Sequence, residues 1–144
     1  MDLDLSNLKT VAAFAAAFKK RKLPLHLLVN NAGIMACPHE KTADGFESQF
    51  GVNHLGHFFL TALLLDSLIA SKNARVVRGS SPCSFDFSLR LLRPQVQVSS
   101  CGHMSGDVRL DDYNWDEKGA YERFRAYSSS KTANILFANV RDLF

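Results

Sequence analysis

The sequence predicts an α/β protein built on a doubly wound parallel sheet. Short apolar runs alternate with longer stretches in which apolar residues recur every three or four positions. The first run, Leu25–Val29, is apolar at most positions, which is typical of a parallel strand covered on both faces. Because strands that alternate with helices favour parallel pairing, the 144 residues are expected to form a single α/β domain.

The first half of the chain divides into a helix, a strand and a second helix. Ser6 is a candidate cap for a helix over about 7–20, and Pro24 ends that stretch. After the strand, Thr42 or Asp44 is expected to open a helix over roughly 44–70. Its predicted apolar face consists of Phe46, Phe50, Leu55, Phe58, Phe59, Ala62 and Leu65.

The second half is predicted to contain one strand, a long loop and one helix. Arg75–Val77 begins a strand that Val96–Ser99 completes, and residues 102–125 form a loop. A helix over 126–144 follows, and its inward residues are Ala133, Leu136, Phe137, Val140 and Phe144.

Composition indicates an ordinary globular protein and argues against several classes. The net charge is +3, and the basic run Lys19–Lys22 is explained by a solvated helix C-terminus rather than by a nucleic-acid surface. Three cysteines without a C-x-x-C spacing indicate reduced thiols in an intracellular, cytoplasmic protein. No uninterrupted apolar run reaches about 18 residues, so no membrane span is predicted.

Tyr127 and Lys131 are the strongest candidates for chemistry. Four residues separate them in a predicted helix, so one helical turn brings the phenol and the ammonium to the same side. A nearby positive charge favours the anion of a phenol, which makes the tyrosine a candidate proton donor and acceptor at neutral pH. A pair of this kind also arises by chance on an exposed helix, so its companions decide the interpretation.

Those companions occur in a characteristic order along the chain. Asn30-Asn31-Ala32-Gly33 follows the first strand, Asn53 lies in Val52-Asn-His-Leu-Gly-His-Phe58, and Val98-Ser-Ser100 precedes the tyrosine. With Tyr127 and Lys131 this set resembles the short-chain dehydrogenase/reductase family, and the phrase around Asn53 resembles its retinol-dehydrogenase-like branch. The resemblance covers about residues 2–77 and 97–144.

The resemblance implies a Rossmann-like three-layer fold and an enzyme that interconverts an alcohol and a carbonyl by hydride transfer with NADP or NAD, NADP being slightly favoured. It assigns Tyr127 as general acid/base and Lys131 as the cation beside it that also holds the nicotinamide ribose. The substrate oxygen is assigned to Ser100, with Ser99 as the alternative. Asn53 is expected to hold a water molecule that links Lys131 to solvent.

The same resemblance assigns residues to the adenosine side of the cofactor. Asn30, Asn31, Ala32 and Gly33 form a turn that is expected to run along it. Residues 1–6 resemble the family's third strand, whose Asp4 side chain would meet the adenine. The implied partner is a small alcohol or carbonyl compound, and a homo-oligomer and an N-terminal membrane anchor both remain open.

The sequence departs from the family pattern in three places. It contains no glycine-rich turn before Asn30 to hold the pyrophosphate, and it ends within the helix that carries Lys131. We therefore expect a partial dinucleotide-binding domain over 1–144, inactive as written. Residues 78–96 have no family counterpart and are interpreted as a gene-model artefact or, alternatively, a genuine loop insertion.

Each site residue has a simpler explanation as well. Asn53 could be a polar surface residue, Ser99 and Ser100 turn residues, and Asn30–Gly33 a generic turn after a strand. At the level of the whole chain, the alternative to an enzyme is a non-catalytic remnant or binding fragment. Neither the substrate nor the choice between NAD and NADP follows from the sequence.

Overall fold

The structure is a computed structural model that describes residues 1–71, 75–78, 95–96 and 100–139; in 75–78, 95–96 and 138–139 it describes the backbone alone. The elements, in chain order, are α1 (Leu8–Lys20), β1 (Leu27–Asn30), α2 (Ser48–Phe50), a π-helical turn (Gly51–Gly56), α3 (His57–Ala70), β2 (Arg75–Arg78), β3 (Gln95–Val96), a 3₁₀ turn (Cys101–Ser105) and α4 (Arg123–Asn139).

The described strands form a parallel sheet in the order β1-β2-β3. Leu27 pairs with Arg75, which confirms the predicted neighbours, and Val76 pairs with Gln95. The expectation of one strand running from Arg75–Val77 into Val96–Ser99 is wrong, because β2 and β3 lie side by side. Parallel neighbours cannot be joined by a tight turn, so a connection of some length between them is required.

The suspected insertion at 78–96 falls largely outside the described residues. Its ends, Arg78 and Gln95–Val96, belong to the sheet. Whether the segment between them is genuine remains a prediction, which sequencing of the mature transcripts tests.

The core lies between one face of the sheet and the helices α1 and α3. Its buried residues come from the N-terminal segment, α1, the residues before β1, and α3: Leu5, Val11, Ala15, Leu25, Leu60, Leu64 and Leu68. Leu28 of β1 packs against this cluster. Leu27 and Val29, on the opposite face of β1, are 53% and 52% exposed, so the covering of β1 on both faces stays a prediction.

The face that α3 buries differs from the predicted one. Leu60, Leu64 and Leu68 point inward, whereas Phe58 and Ala62 are exposed. The π-helical turn explains the difference, since it contains more residues per turn than an α-helix and so rotates every later side chain about the axis. A periodicity argument that assumes one continuous α-helix over 44–70 therefore misses these three leucines, although Phe59 packs against the core as expected.

The helix caps also differ from expectation. Asn7, not Ser6, caps α1 by accepting from the Lys9 N–H at 3.0 Å. Asp44 does not open α2; its Oδ2 accepts from the Leu8 N–H at 2.7 Å and so helps to cap α1. The cap of α2 is Glu47, which is fully buried and accepts from the backbone N–H groups of Gln49 and Phe50.

Residues 1–6, predicted to form a strand, contain none in the structure. The backbone of Leu5 instead lies against Gly56. A Cβ added to Gly56 would come within 2.8 Å of the Leu5 carbonyl oxygen, so only glycine permits this contact. The N-terminal segment is thereby held on the π-helical turn.

Helix α4 begins three residues earlier than predicted, at Arg123. Ala133 and Phe137 are buried as expected, but Leu136 is 55% exposed, which corrects the predicted inward face. Val140 and Phe144 lie outside the described residues.

One described helical stretch, Ser48–Ala70, is long and apolar enough to cross a membrane, although no such segment was predicted from uninterrupted apolar runs. Core helices of soluble proteins meet the same criterion, and Leu60, Leu64 and Leu68 lie in the core.

Candidate active site

Tyr127 and Lys131 lie one turn apart on α4, as predicted. The Lys131 ammonium is 5.3 Å from the centroid of the Tyr127 ring, within the range of a cation–π contact. The tyrosine is half-buried and the lysine side chain is buried. Burial lowers the pKa of Lys131, because a desolvated ammonium is less favourable than the neutral amine.

The burial of Lys131 makes the free energy of unfolding depend on pH. The pKa of Lys131 is lower in the folded state than its ordinary value of 10.5, so between the two values the unfolded chain binds more protons. The contribution of Lys131 to the free energy of unfolding should therefore rise with pH across that alkaline window. We expect Lys131→Met to remove this rise, which denaturant titrations at a series of alkaline pH values would detect. If the slope of the unfolding free energy against pH were unchanged in Lys131→Met, the lowered pKa would not belong to Lys131.

Ser100 and Tyr127 both lie next to Gly102. A Cβ added to Gly102 would be 3.1 Å from Tyr127 Cε1 and 3.4 Å from Ser100 Oγ. The serine caps the 3₁₀ turn, and its Oγ accepts from the Gly102 N–H at 3.2 Å. The hydroxyl and the phenol ring thus border the same small space. Ser99, the alternative to Ser100, is outside the described residues.

The 3₁₀ turn is fastened to α4 by a second set of contacts. The Thr132 hydroxyl donates to the carbonyl oxygen of Gly106 at 2.5 Å. A Cβ on Gly106 would approach Ser128 Cβ to 2.8 Å, so the loop can lie this close only because residue 106 is glycine. These contacts hold Ser100 and Tyr127 in one arrangement although they are distant in sequence.

Asn53 lies in the π-helical turn and is almost fully buried. Its Oδ1 accepts from the Ile34 N–H at 2.8 Å, while its Nδ2 donates to the Ile34 carbonyl at 2.9 Å and to Ser130 Oγ at 3.1 Å. Both amide protons are therefore used in bonds within the protein. The residue joins the turn after β1 to α4, and the predicted water molecule is left only the second lone pair of Oδ1.

Gly33 brings these groups together. A Cβ added there would lie 3.0 Å from Asn53 Oδ1 and 3.9 Å from Lys131 Nζ. The exposed turn of Asn31, Ala32 and Gly33 thus adjoins the lysine of the candidate pair.

Asn30 ends β1 and is buried. Its Nδ2 donates to Thr61 Oγ1 at 2.9 Å, but its Oδ1 has no hydrogen-bond partner among the described residues.

Asp4 stands apart from the other predicted site residues. It is exposed, and its carboxylate accepts from the hydroxyl and the backbone N–H of Ser6. These hydrogen bonds lower the pKa of Asp4. Its assignment to the adenine remains a prediction that none of these contacts supports.

A buried polar cluster next to the site was not predicted from the sequence. Gln49 accepts from the Ala36 N–H at 2.8 Å and donates to Tyr121 Oη and to the Arg123 carbonyl. Ala36 has a φ of 56°, a left-handed conformation that is uncommon for alanine. Burial, together with the neighbouring Glu47 carboxylate, raises the pKa of Tyr121 to about 12. The cluster ties the segment after Gly33 to the start of α4.

Sequence reasoning also missed Ser130 and Asn134. They follow Tyr127 by three and seven residues, so helical spacing places them on its face of α4. Both are buried polar residues that contact Asn53. The sequence signal that could have identified them is the presence of polar residues at helical positions that face the core.

Comparison with known proteins identifies the family to which this chain belongs. A family model described as short chain dehydrogenase matches residues 1–89. The chain is 43% identical to retinol dehydrogenase 13 of Homo sapiens and 45% identical to retinol dehydrogenase 12 of Homo sapiens, each over 135 residues. These matches cover 94% of this chain and 35% and 36% of the relatives. The chain thus spans about a third of the length of these curated relatives.

Two solved structures share the fold. A crystal structure of a putative uncharacterized protein from Mycobacterium Paratuberculosis is 40% identical, with a TM-score of 0.69, and the match covers 95% of this chain and 41% of that one. A Pseudomonas aeruginosa structure described as a RhlG/NADP active-site complex is 22% identical, with a TM-score of 0.53 over 95% and 43% of the two chains. The second likeness concerns the α/β fold alone. On the family match and the identity to retinol dehydrogenases, this chain belongs to the short-chain dehydrogenase/reductase family, in its retinol-dehydrogenase-like branch.

Proposed function

We propose that this chain is part of an NAD(P)-dependent oxidoreductase that interconverts an alcohol and a carbonyl, with Tyr127 as general acid/base. The observation that carries the proposal is the grouping of three functional groups. The Lys131 ammonium lies 5.3 Å from the Tyr127 ring centroid, and Ser100 Oγ borders the same glycine as that ring.

The chemistry asks little of the protein. When bound, a nicotinamide cofactor supplies or accepts the hydride. During reduction the Tyr127 hydroxyl gives its proton to the carbonyl oxygen, and during oxidation the phenolate takes it back. Ser100 Oγ donates a hydrogen bond to the same substrate oxygen. The Lys131 ammonium stabilises the phenolate electrostatically.

The residues present fit the nicotinamide-ribose side of such a cofactor. The exposed turn ending at Gly33 has no side chain above Asn53 and Lys131, so a ligand can approach the backbone there. Lys131 would hold the ribose, and Asn31, Ala32 and Gly33 would run along the adenosine side. The choice between NADP and NAD stays open, with NADP the first to be tested.

The geometry favours a positioning role for Asn53. Its amide hydrogen bonds are made to Ile34 and Ser130, so it fixes the turn beside Lys131 to α4. The finer fold prediction, a doubly wound Rossmann-like sheet with helices on both faces, stays a proposal, since Leu27 and Val29 on one face of β1 are exposed among the described residues.

The function is tested on the whole protein that contains this sequence. The whole protein should reduce retinaldehyde and short aldehydes with NADPH or NADH. The reaction is monitored by the loss of cofactor absorbance, and the alcohol product is identified. No turnover by the folded protein with either cofactor would overturn the proposal.

The 144-residue chain alone is expected to bind dinucleotide weakly. The pyrophosphate carries the densest charge of the cofactor, and this sequence has no glycine-rich turn at a helix N-terminus to hold it. Calorimetry with NADPH and NADH measures this directly. Tight binding would show that the turn beside Gly33 and Lys131 is sufficient.

A binding fragment without catalysis is the second candidate. The exposed Leu27 and Val29 on one face of β1 favour it, since they form an apolar surface. A thermal-shift titration of the whole protein with NADPH separates the two, because a ligand of the native state raises the apparent melting temperature.

A further inference from the structure

Asn134 lies on the face of α4 that carries the proposed acid/base pair. It follows Tyr127 by seven residues and Lys131 by three. Its side chain is 3% exposed, and no step of the proposed reaction uses it. A buried amide of this kind needs hydrogen-bond partners, and the partners of Asn134 indicate its role.

The amide of Asn134 bonds two consecutive residues of the π-helical turn. Its Nδ2 donates to the main-chain oxygen of Asn53 at 3.1 Å, and its Oδ1 lies 2.9 Å from His54 Nδ1. Because an amide oxygen only accepts, His54 carries its proton on Nδ1 in this bond. Together with the Asn53 carbonyl, which also only accepts, this histidine tautomer holds the amide nitrogen towards Asn53.

The main-chain oxygen of Asn53 has a second side-chain neighbour, since His57 Nδ1 lies 3.2 Å from it. A π-helical turn displaces carbonyl groups from the regular α-helical ladder and is frequent at functional sites. Here side chains from two helices bond the carbonyl. Asn134 is the one that comes from the helix bearing the acid/base pair.

A continuous set of contacts connects Asn134 with Lys131. Asn134 holds the Asn53 backbone, and the Asn53 side chain holds both backbone groups of Ile34. The preceding residue, Gly33, borders the Lys131 ammonium, since a Cβ there would be 3.9 Å from Nζ. The backbone of Gly33 and Ile34, which lies beside the ammonium, is thus connected through Asn53 and Asn134 to α4, the helix that carries Lys131.

We propose that Asn134 is a positioning residue that fastens the π-helical turn to α4, with His54 orienting its amide, and thereby fixes the Lys131 ammonium relative to Tyr127. This inference deepens the proposed function and rests on it. Asn134 acts through Asn53 and contacts neither the substrate nor the cofactor.

The central variant is Asn134→Leu, which keeps the branching at Cγ and the number of side-chain heavy atoms and removes both hydrogen bonds. The matched control is Ser128→Ala: Ser128 is equally buried on the same helix, and its hydroxyl donates back to the Phe124 carbonyl within α4. A second variant, His54→Phe, keeps an aromatic ring and removes the nitrogen that faces the Asn134 amide. It preserves the test if Asn134→Leu fails to fold.

In the whole protein, Asn134→Leu should lower kcat by about 10-fold to 10²-fold, the scale expected for misplaced catalytic groups, with less than about a twofold change in KM. His54→Phe should give a smaller loss in the same direction, and Ser128→Ala should give none. A residue that only packs would lower the melting temperature without this division between kcat and KM.

A second readout does not depend on turnover. In protein carrying ¹³C-labelled lysine, the Lys131 resonance is titrated by NMR. Asn134→Leu should move the pKa of Lys131 back up towards its ordinary value, because a less firmly held Gly33–Ile34 backbone lets water reach the ammonium. Ser128→Ala should leave the titration unchanged.

The two readouts separate the two ideas. If the wild-type protein reduces no carbonyl, the proposed function fails, and the lysine titration still decides whether Asn134 positions Lys131. If Asn134→Leu and His54→Phe lower the melting temperature but change neither kcat nor the Lys131 titration, Asn134 is a packing residue and the inference is overturned.

Discussion

Replacing Tyr127 with phenylalanine is expected to lower kcat for carbonyl reduction by about 10²–10⁴-fold, the usual scale for general acid–base assistance. The substitution removes only the hydroxyl. The ring that packs over Gly102 and faces the Lys131 ammonium is retained, so the fold and the position of the 3₁₀ turn should be preserved. Steady-state kinetics of the whole protein would measure the effect.

The matched control is Tyr113→Phe, which makes the same chemical change at a tyrosine that is 42% exposed and packs against Phe46 and Phe50. It should leave kcat unchanged. Both variants should unfold at about the wild-type temperature. Near-normal turnover by Tyr127→Phe would remove the phenol from the mechanism, and equal losses in both variants would point to a general effect of removing a hydroxyl.

Asn53→Asp is expected to lower the free energy of unfolding by about 2–4 kcal/mol, the scale expected when buried polar groups lose their partners. The replacement puts a carboxylate oxygen where Nδ2 now donates to the Ile34 carbonyl and to Ser130 Oγ. The Ile34 carbonyl loses its donor, and the Ser130 hydroxyl can reach the new carboxylate only by giving up the Tyr127 carbonyl, so a buried polar group is left unpaired at a cost of about 1–3 kcal/mol. The new charge also faces a carbonyl oxygen.

Asn7→Asp supplies the control for this prediction. It makes the same isosteric change at the α1 cap, where aspartate and asparagine are about equally favourable. Denaturant unfolding of both variants should show a loss for Asn53→Asp alone. If Asn53→Asp unfolded like the wild type, the hydrogen bonds to Ile34 and Ser130 would not be the contacts that join the β1 turn to α4.

Short-range patterns in the sequence were enough to predict the alternation of helix and strand, the parallel pairing of the segments around Leu27 and Arg75, and the placement of Tyr127 and Lys131 on one helix face. These features depend on hydrophobic periodicity and on the fixed geometry of one helical turn. The family resemblance rested on the order of such short motifs, and the comparisons confirm it.

Caps and helix faces, by contrast, were decided by tertiary contacts. Asp44 was expected to begin its own helix, yet its carboxylate caps α1, which is 36 residues away in sequence. The π-helical turn rotated the buried face of α3 onto Leu60, Leu64 and Leu68. Local propensity contains no term for either effect, because both depend on which segments the fold brings together.

The same limit applies to the site. The sequence by itself determined which residue types are available for the proposed proton transfer, since Tyr127, Lys131 and Ser100 carry hydroxyl and ammonium groups. Only the tertiary structure decided what holds them. Asn53, expected to bind water, spends its amide protons on Ile34 and Ser130, and Asn134 holds its carbonyl. A buried amide bonds whichever groups the packing places within about 3 Å, and that choice is made by the assembled fold.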